Sequence, residues 1–448
     1  MVHEDESNAA QHSAFRRVLG NIAWLLSGKG FGAVVSLVYL AILSRSLGLK
    51  GFGHFSLIFA TAQAMVALVG FQTWQTVVRY GAAYVHNNDW LRFGRLTMLC
   101  ALIDAMGALA GCLIAYVIFY HFADALDINP DYRDMSFAFT CAFVWGRVST
   151  PTGVARVLDR FDLAVYIEGV VPTMRLVAAG AIWLIGPTVG RYLFAWATID
   201  LLVGAIFWAM AHRLAPQSVR LGFVAQWRTA LSENERIRSF LGVTFVTSTL
   251  DAIFKQSPLL AVGYFLGTSA AGVYRLADQL AQGFGKVAQL LARAIYSEVA
   301  RLIAAATYRE LRRLIGQVTG MAAIGGLCVV TVAYFAGEQL IALIGGSKFS
   351  GGAIYLIPLA IAASLELGRV MFEPVLHTTG HAIWALFARI IEVAALGAAI
   401  AVLVSSGAIG IAWSVTCAAI VGYATLLGLT VKAMRGVRNA MAASDAPS

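Results

Sequence analysis

Apolar residues occur in long runs that are separated by short polar breaks along almost the whole chain. A helix needs about 20 mostly apolar residues to cross the hydrocarbon core of a bilayer. The pattern therefore predicts an all-α integral membrane protein with twelve transmembrane helices. The predicted spans lie near residues 18–44, 54–78, 95–120, 135–155, 163–186, 190–211, 239–263, 270–297, 314–336, 352–376, 382–404 and 408–431.

Composition agrees with this pattern and excludes several kinds of site. Of the 448 residues, 59% are apolar and 13% are charged, whereas soluble domains carry about 25% charged residues. The five cysteines lie inside apolar runs without CxxC spacing, and His377 and His381 flank a break between spans, so no metal site is expected. The chain lacks a Walker A motif. We expect neither catalysis, a cofactor nor a nucleic-acid partner.

The loops differ in charge between the two sides of the membrane. Loops on the side of the N-terminus hold 19 Lys and Arg residues, and loops on the opposite side hold 5. Basic loops face the cytoplasm. Because twelve spans return the chain to its starting side, both termini are predicted to be cytoplasmic.

The two halves of the chain repeat one pattern. Aligning the chain with itself places 47–63 on 266–282. The matching columns are Leu47/Leu266, Gly48/Gly267, Gly53/Gly272, Phe55/Tyr274, Leu57/Leu276, Ala62/Ala281 and Gln63/Gln282. A slightly larger shift aligns a second repeated motif, which is Gly-Arg-Val at 146–148 and at 368–370, inside the fourth span of each half. A shift of six helices preserves sidedness, so the halves are predicted to be parallel repeats.

This repeat defines the predicted domain organisation. The predicted segments are a polar cytoplasmic tail at 1–13, an N-lobe at 14–212, a basic linker at 213–238, a C-lobe at 239–432 and a second cytoplasmic tail at 433–448. The basic linker is either solvated, bound to anionic lipid headgroups, or a contact for a cytoplasmic protein.

Several of these motifs carry a resemblance to a known family. They are LG-x3-FG-x-F at 47–55, Asn21 and Trp24 in the first span, Arg-Tyr at 79–80, and AGVYRLADQLAQ at 271–282. The chain resembles Wzx-type polysaccharide flippases of the multidrug/oligosaccharidyl-lipid/polysaccharide exporter superfamily. The resemblance implies two six-helix lobes around a V-shaped central cavity. It also implies alternating-access transfer of undecaprenyl-diphosphate-linked oligosaccharide to the outer leaflet of the bacterial inner membrane, for surface polysaccharide synthesis.

Nine cations and eight acids lie inside the predicted spans. Charged residues are costly there, so they must pair or face water. Residues three or four apart share a helix face, and such spacing predicts the pairs Asp251–Lys255, Arg275–Asp278, Glu366–Arg369, Arg369–Glu373 and Arg389–Glu392. Five cations have no acid at this spacing in their own span, namely Lys29, Arg147, Arg175, Lys286 and Arg293.

One polar face runs along the eighth predicted span. It consists of two sets at seven-residue spacing, Arg275, Gln282 and Gln289, and Gln279, Lys286 and Arg293. The face is about 27 Å long, nearly the hydrocarbon thickness. We expect it to line an aqueous cleft, although packing on other polar helices is the alternative.

Diphosphate recognition calls for Arg, which forms bidentate contacts, and for Lys. Our hypothesis assigns the diphosphate to Lys29, Arg147, Lys286 and Arg293, and as second choices to Arg175, Lys255, Arg275 and Arg369. The amides of Gln279, Gln282 and Gln289 suit the sugars. An ion gradient is a plausible energy source, and the candidate relay acids are Asp104, Glu168, Asp200 and Asp251, although salt bridges explain these acids equally well.

Two other functions compete with the flippase. A cation-coupled drug or small-molecule exporter of the same superfamily would favour acidic lobes, whereas the charged residues without a local partner here are basic. A polytopic polymerase or ligase of O-antigen assembly would need a large outer loop, and the predicted outer loops are short. The expected partners are the lipid-linked oligosaccharide and membrane lipids. Glycan-assembly enzymes are further candidates, among them a cytoplasmic glycosyltransferase that would contact the basic linker.

Overall fold

The computed structural model describes the backbone of residues 2–122, 129–147, 149–304 and 308–444. It describes side chains at 34–122, 129–147, 149–160, 170–283, 315–377, 379–381 and 383–436. Every regular element in these ranges is a helix, and they contain no strand. A helix satisfies its backbone polar groups internally, which suits chains that cross lipid. The predicted all-α class is confirmed.

Fourteen α-helices account for most of the described chain. They are α1 (Val2–Val69), α2 (Thr73–His86), α3 (Trp90–His121), α4 (Arg133–Gly146), α5 (Thr150–Val157), α6 (Phe161–Ile185), α7 (Val189–Leu214), α8 (Trp227–Glu233), α9 (Ile237–Ala304), α10 (Tyr308–Gly345), α11 (Ala353–Gly368), α12 (Phe372–Thr378), α13 (Ala382–Leu403) and α14 (Ala408–Ser444). Short 3-10 turns at Pro130–Tyr132, Leu221–Gln226, Ser347–Gly352 and Val404–Ser406 precede or follow several of them.

Within the described residues, 8 helical stretches are long and apolar enough to cross a membrane. Two of them, Val34–His86 with 53 residues and Ile237–Gly283 with 47 residues, are each longer than one crossing requires. Both contain a sharp break, which is described next. The twelve spans and their arrangement as repeat lobes stay predictions.

The first of the repeated glycine columns marks the same backbone kink in α1 and in α9. Gly48 has φ 67° and ψ −176°, and Gly267 has φ 83° and ψ 174°. This conformation is essentially restricted to glycine. The repeated Leu-Gly motif therefore turns the chain between two helical segments at both predicted positions.

Contacts divide the chain into two compact units. One comprises Val35–Val273, and the other comprises Tyr274–Ser448 together with the residues up to Val34. The first unit has an apolar core around Val77, Phe93 and Leu96, where α2 packs on α3 and α5. In the second unit α12, α13 and α14 share a core around Phe372. The predicted lobe boundaries stay a prediction.

Within the Val35–Val273 unit, the two repeated motifs contact each other reciprocally. A Cβ atom on Gly53 would overlap the carbonyl oxygen of Thr268, and one on Gly272 would lie 2.7 Å from the carbonyl oxygen of Leu49. The alignment of 47–63 with 266–282 relates Leu49 to Thr268 and Gly53 to Gly272. The contact is therefore symmetric in sequence, and glycine at both positions allows the backbones to approach closely.

The repeated Gly-Arg-Val motif also marks a repeated structural feature, because the helix of the predicted fourth span is broken in each half. In the N-terminal half, α4 ends at Gly146 and α5 begins at Thr150; we call this the N-half break. In the C-terminal half, α11 ends at Gly368 and α12 begins at Phe372; we call this the C-half break. Each break follows the glycine of the repeated Gly-Arg-Val motif, so the alignment of that motif relates the two breaks.

Candidate functional site

The N-half break lies against α7 because small residues allow close packing there. A Cβ atom on Gly146 would lie 2.7 Å from the backbone of Asp200, and one on Gly204 would lie 3.0 Å from the carbonyl oxygen of Gly146. Small residues at helix crossings bring backbones together in membranes. This packing places Arg147, the residue after Gly146, beside the carboxylate of Asp200.

Arg147, Arg175 and Asp200 form one charged trio. Asp200 accepts a hydrogen bond from the Arg175 guanidinium at 2.8 Å, and its other oxygen lies 3.8 Å from Arg147. Asp200 is 3% exposed and Arg175 is buried, whereas the Arg147 side chain is 45% exposed. One carboxylate therefore faces two guanidinium groups, and the trio itself carries one net positive charge.

Aromatic rings surround the trio. The Arg175 guanidinium lies 5.6 Å from the ring centroid of Phe59 and 5.5 Å from that of Trp196, and Arg147 lies 4.9 Å from that of Phe143. Cation–π contacts of this kind favour a desolvated guanidinium. The sequence placed both arginines among the cations without a local acid, and it did not predict that Asp200 on α7 would join them.

At the C-half break, Arg369 is enclosed by acids. Its guanidinium donates to Glu392 at 2.8 Å and to Glu366 at 2.5 Å. Glu392 also accepts from Arg389 at 2.8 Å. The pairs Glu366–Arg369 and Arg389–Glu392 confirm the predicted i,i+3 spacing. Because the Arg369 side chain is only 8% exposed, its contacts favour a structural role over substrate binding.

The first part of the predicted polar face on α9 is a local network. Arg275 lies 3.4 Å from Asp278, which confirms that predicted pair, and Gln282 donates to Asp278 at 2.8 Å. With its amide oxygen turned toward Arg275, Gln279 accepts from that guanidinium at 2.6 Å. Arg275 and Gln282 thus contact Asp278, and Gln279 contacts Arg275.

The remaining predicted binding residues are placed as follows. Lys255 on α9 is exposed, and its neighbour Gln256 donates to Gln63 at 2.9 Å. Gln63 is conserved between the two repeats, where it aligns with Gln282. This match is the sequence signal that could have identified Gln63 as a functional candidate. The side chains of Lys29, Lys286, Gln289 and Arg293 lie outside the described residues, so their assignment stays a prediction.

The candidate relay acids differ in their surroundings. Asp200 is ion-paired as described above, and Asp251 on α9 is partly buried. Asp104, near the middle of α3, accepts hydrogen bonds from Thr73, Ser149 and Thr150. Glu168 lies outside the described side chains. Sequence reasoning did not anticipate the hydroxyl groups around Asp104, and no group of three potential metal ligands occurs in the searched part of the chain.

Comparisons with known proteins place the chain in a family. Residues 18–300 match the family described as Polysaccharide biosynthesis protein. The chain belongs to this family. A relative in Escherichia coli (strain K12), the inner membrane protein YghQ, is 26% identical over 342 residues, which cover 75% of this chain and 94% of that protein. The family member described here is thus a multi-pass membrane protein with an inner membrane relative.

Solved structures show the fold that this family member shares. An inward-facing multidrug resistance MATE family transporter of the MOP superfamily matches 91% of this chain and 96% of its own, with a TM-score of 0.74 and 13% identity. The lipid II flippase MurJ, in an inward closed conformation, matches 95% and 93%, with a TM-score of 0.68 and 11% identity. The chain therefore shares the fold of this MATE transporter and of MurJ.

Proposed function

We propose that the chain is a flippase that moves an undecaprenyl-diphosphate-linked oligosaccharide from the cytoplasmic to the outer leaflet of the inner membrane by alternating access. Three findings support this proposal: the polysaccharide biosynthesis family, the inner membrane relative, and a fold shared with a lipid II flippase. The 19 to 5 distribution of loop cations supports cytoplasmic placement of both termini. The chain itself catalyses no covalent step in this proposal.

The observation that carries the proposal is the charged trio at the N-half break. Arg147 presents a partly exposed guanidinium at the end of α4, next to the buried Arg175–Asp200 pair. A diphosphate has several acceptor oxygens, and a guanidinium contacts them through two parallel N–H groups. We assign Arg147 to the diphosphate group and Arg175 to holding Asp200 in place.

The other predicted residues fit this assignment in different ways. Lys29, Lys286 and Arg293 complete the hypothesis as further contacts of the diphosphate, with Gln289 for the sugars. Arg275 and Arg369 contact carboxylates and are buried, whereas Arg147 is partly exposed, so we give Arg275 and Arg369 no direct role. Lys255 is exposed on α9 and stays a second choice.

An export assay in a deletion strain tests the proposal. We expect the strain to accumulate lipid-linked oligosaccharide on the cytoplasmic face and wild-type protein to restore surface glycan. Arg147→Gln should lower export about tenfold, equivalent to ~1.4 kcal/mol, and Arg147→Lys should retain part of it.

Arg133→Gln is the matched control, because Arg133 begins the same helix at its opposite end. This variant should export normally at equal membrane levels. Normal export by Arg147→Gln at normal levels would contradict the assignment, and no accumulation in the deletion strain would contradict the flippase itself.

A drug or small-molecule exporter is the second candidate, favoured by the fold shared with a MATE transporter. The two functions differ in cargo, so cells that carry the protein should be tested for protection from cationic dyes. Protection without an effect on lipid-linked oligosaccharide would favour the exporter.

Glycan-assembly enzymes are proposed partners on the cytoplasmic face. The predicted basic linker packs on the helix α3 and on its own residues: Phe223 packs on Gly94, Ser218 donates to the Trp90 carbonyl oxygen, and Arg95 pairs with Glu233. The segment therefore presents a defined surface to a partner or to lipid headgroups. Co-purification with enzymes that build the lipid-linked oligosaccharide tests this assignment.

A further inference from the structure

The basic linker is held against the first two turns of α3. Ser218 donates a hydrogen bond to the Trp90 carbonyl oxygen at 3.2 Å. The Phe223 ring packs so closely on Gly94 that a Cβ atom there would lie 2.7 Å from it. The short helix α8 also packs on α3. These contacts fix the position of the linker along the α3 axis.

The two ends of α3 indicate which depth in the bilayer this position corresponds to. Trp90 begins the helix and Tyr120 lies near its other end, and the helix between them is about 45 Å long. This length matches a bilayer with its headgroup regions, where Trp and Tyr are enriched. Between these two residues, Leu109 and Leu113 are exposed, as contact with lipid requires. The start of α3, and the linker with it, therefore lies at headgroup level on the side that is predicted to be cytoplasmic.

The exposed side chains of the linker combine large apolar groups with arginines. Leu221 is 83% exposed and follows the exposed Arg220. Trp227 is 38% exposed and precedes the exposed Arg228, whose guanidinium lies 5.1 Å from the Trp227 ring centroid. Segments that lie in the membrane interface present this combination of apolar, aromatic and basic side chains. We call these four residues the linker surface.

The arginines of the linker are not neutralised by acids in the described part of the chain. The sequence contains no Asp or Glu between Asp200 and Glu233, whereas it contains Arg213, Arg220 and Arg228 there. Among the described side chains, no carboxylate oxygen lies within 4.0 Å of these three guanidinium groups. Their N–H groups are therefore free to donate to phosphate oxygens at headgroup level.

We propose that the linker surface binds the phosphate headgroups of anionic phospholipids in the cytoplasmic leaflet. Leu221 contacts the acyl chains next to the headgroups, Trp227 lies among the headgroups, and the two arginines of the surface donate to phosphate oxygens. Lipid fits this surface better than an acidic cytoplasmic protein does, because its most exposed side chain is a leucine at headgroup level. The lipid site goes beyond the proposed function, and only its assignment to the cytoplasmic leaflet rests on that function.

Photo-crosslinking of purified full-length protein in phosphatidylcholine vesicles, without any glycan, tests the proposal. The vesicles contain a small fraction of phosphatidylglycerol or of phosphatidylcholine that carries a photoreactive headgroup, and mass spectrometry measures the labelling of residues 214–232. We expect phosphatidylglycerol to label this segment about fivefold more than phosphatidylcholine, or better, because each basic residue near the surface favours anionic lipid by about this factor. The ratio should fall between about 0.1 M and about 1 M salt, because salt screens these charges.

Variants assign the labelling to the linker surface. The double variant Arg220→Gln/Arg228→Gln should remove the preference for phosphatidylglycerol. Lys50→Gln/Lys348→Gln is the matched control, because it removes two exposed cations from the side that is predicted to be outer, and it should keep the preference. Leu221→Ser should lower labelling by both lipids and leave their ratio unchanged, because it removes the apolar contact alone. All of these side chains are exposed, so the variants should unfold at the wild-type temperature.

Equal labelling by the two lipids in the wild type, or an unchanged preference in the Arg220→Gln/Arg228→Gln variant, would overturn the proposal. Equal lipid labelling together with a stable complex with an acidic cytoplasmic protein, lost in the same variant, would assign the surface to that protein instead. Because no glycan is present, failure of the lipid site is distinguishable from failure of the flippase assignment.

Discussion

The two helix breaks occur at the same aligned position of the repeat, but the side chains around them differ in polarity and charge. At the N-half break, Arg147 is partly exposed and the residues that follow it contact Asp104. At the C-half break, Arg369 is enclosed by carboxylates and Phe372 packs in an apolar core. The same break in the helix therefore presents a partly exposed arginine in the N-terminal half. In the C-terminal half it holds a buried arginine whose charge is balanced by carboxylates.

The difference shows which features belong to the fold and which invite a functional explanation. Because the helix is broken in both halves, the break and the glycine before it are structural. The exposed arginine and the hydroxyl groups occur at the N-half break alone in the part of the chain that is described. We therefore place the proposed diphosphate contact in the N-terminal half.

The largest expected effect comes from removing the shared acid at the C-half break. Glu392→Gln removes the 1% exposed carboxylate that Arg369 and Arg389 share, while Arg369 keeps its contact with Glu366. Loss of one partner from a buried ion pair costs about 3–5 kcal/mol. Thermal unfolding of the purified variant should show this loss.

The matched N-half variant, Asp200→Asn, should lose less stability. Asp200 serves one buried arginine, whereas its second arginine, Arg147, reaches solvent. An equal or larger loss of stability for Asp200→Asn would show that the charged trio at the N-half break is as shielded from solvent as the Arg369–Glu392 pair at the C-half break.

Alanine at the two glycines before the breaks should give an intermediate effect. A Cβ atom on Gly146 would meet the backbone of Asp200 at 2.7 Å, whereas on Gly368 it would meet the Tyr423 ring at 3.1 Å. Backbone cannot move aside as a side chain can, so Gly146→Ala should cost about 1–3 kcal/mol and Gly368→Ala less. Unfolding temperatures measure both, and the reverse order would contradict the packing described for α4 and α7.

Local features of this structure were predictable from the sequence, and distant contacts were not. The pairs Arg275–Asp278 and Arg389–Glu392 follow from helix spacing alone. The kinks at Gly48 and Gly267 fall in breaks between predicted spans, inside the repeated motif. In contrast, the contacts of Asp200 with Arg175 and of Thr73 with Asp104 join different helices. Such contacts depend on which helix faces pack together, and apolar patterning leaves those faces undefined.

The smallest expected effect on stability is that of Arg147→Gln. Since the side chain is 45% exposed and 3.8 Å from Asp200, its removal should cost less than about 1 kcal/mol. Arg369→Gln, at the matching position, removes a buried guanidinium and should lower the unfolding temperature more. Equal losses in the two variants would remove the distinction between an accessible and an enclosed arginine.

Binding of undecaprenyl diphosphate to the purified protein tests the central claim most directly. Its affinity should be compared between wild type, Arg147→Gln and Arg133→Gln, with undecaprenyl monophosphate as the second ligand. We predict that Arg147→Gln weakens diphosphate binding about tenfold, or ~1.4 kcal/mol, while Arg133→Gln leaves it unchanged. Equal diphosphate affinity in wild type and in folded Arg147→Gln would contradict the account.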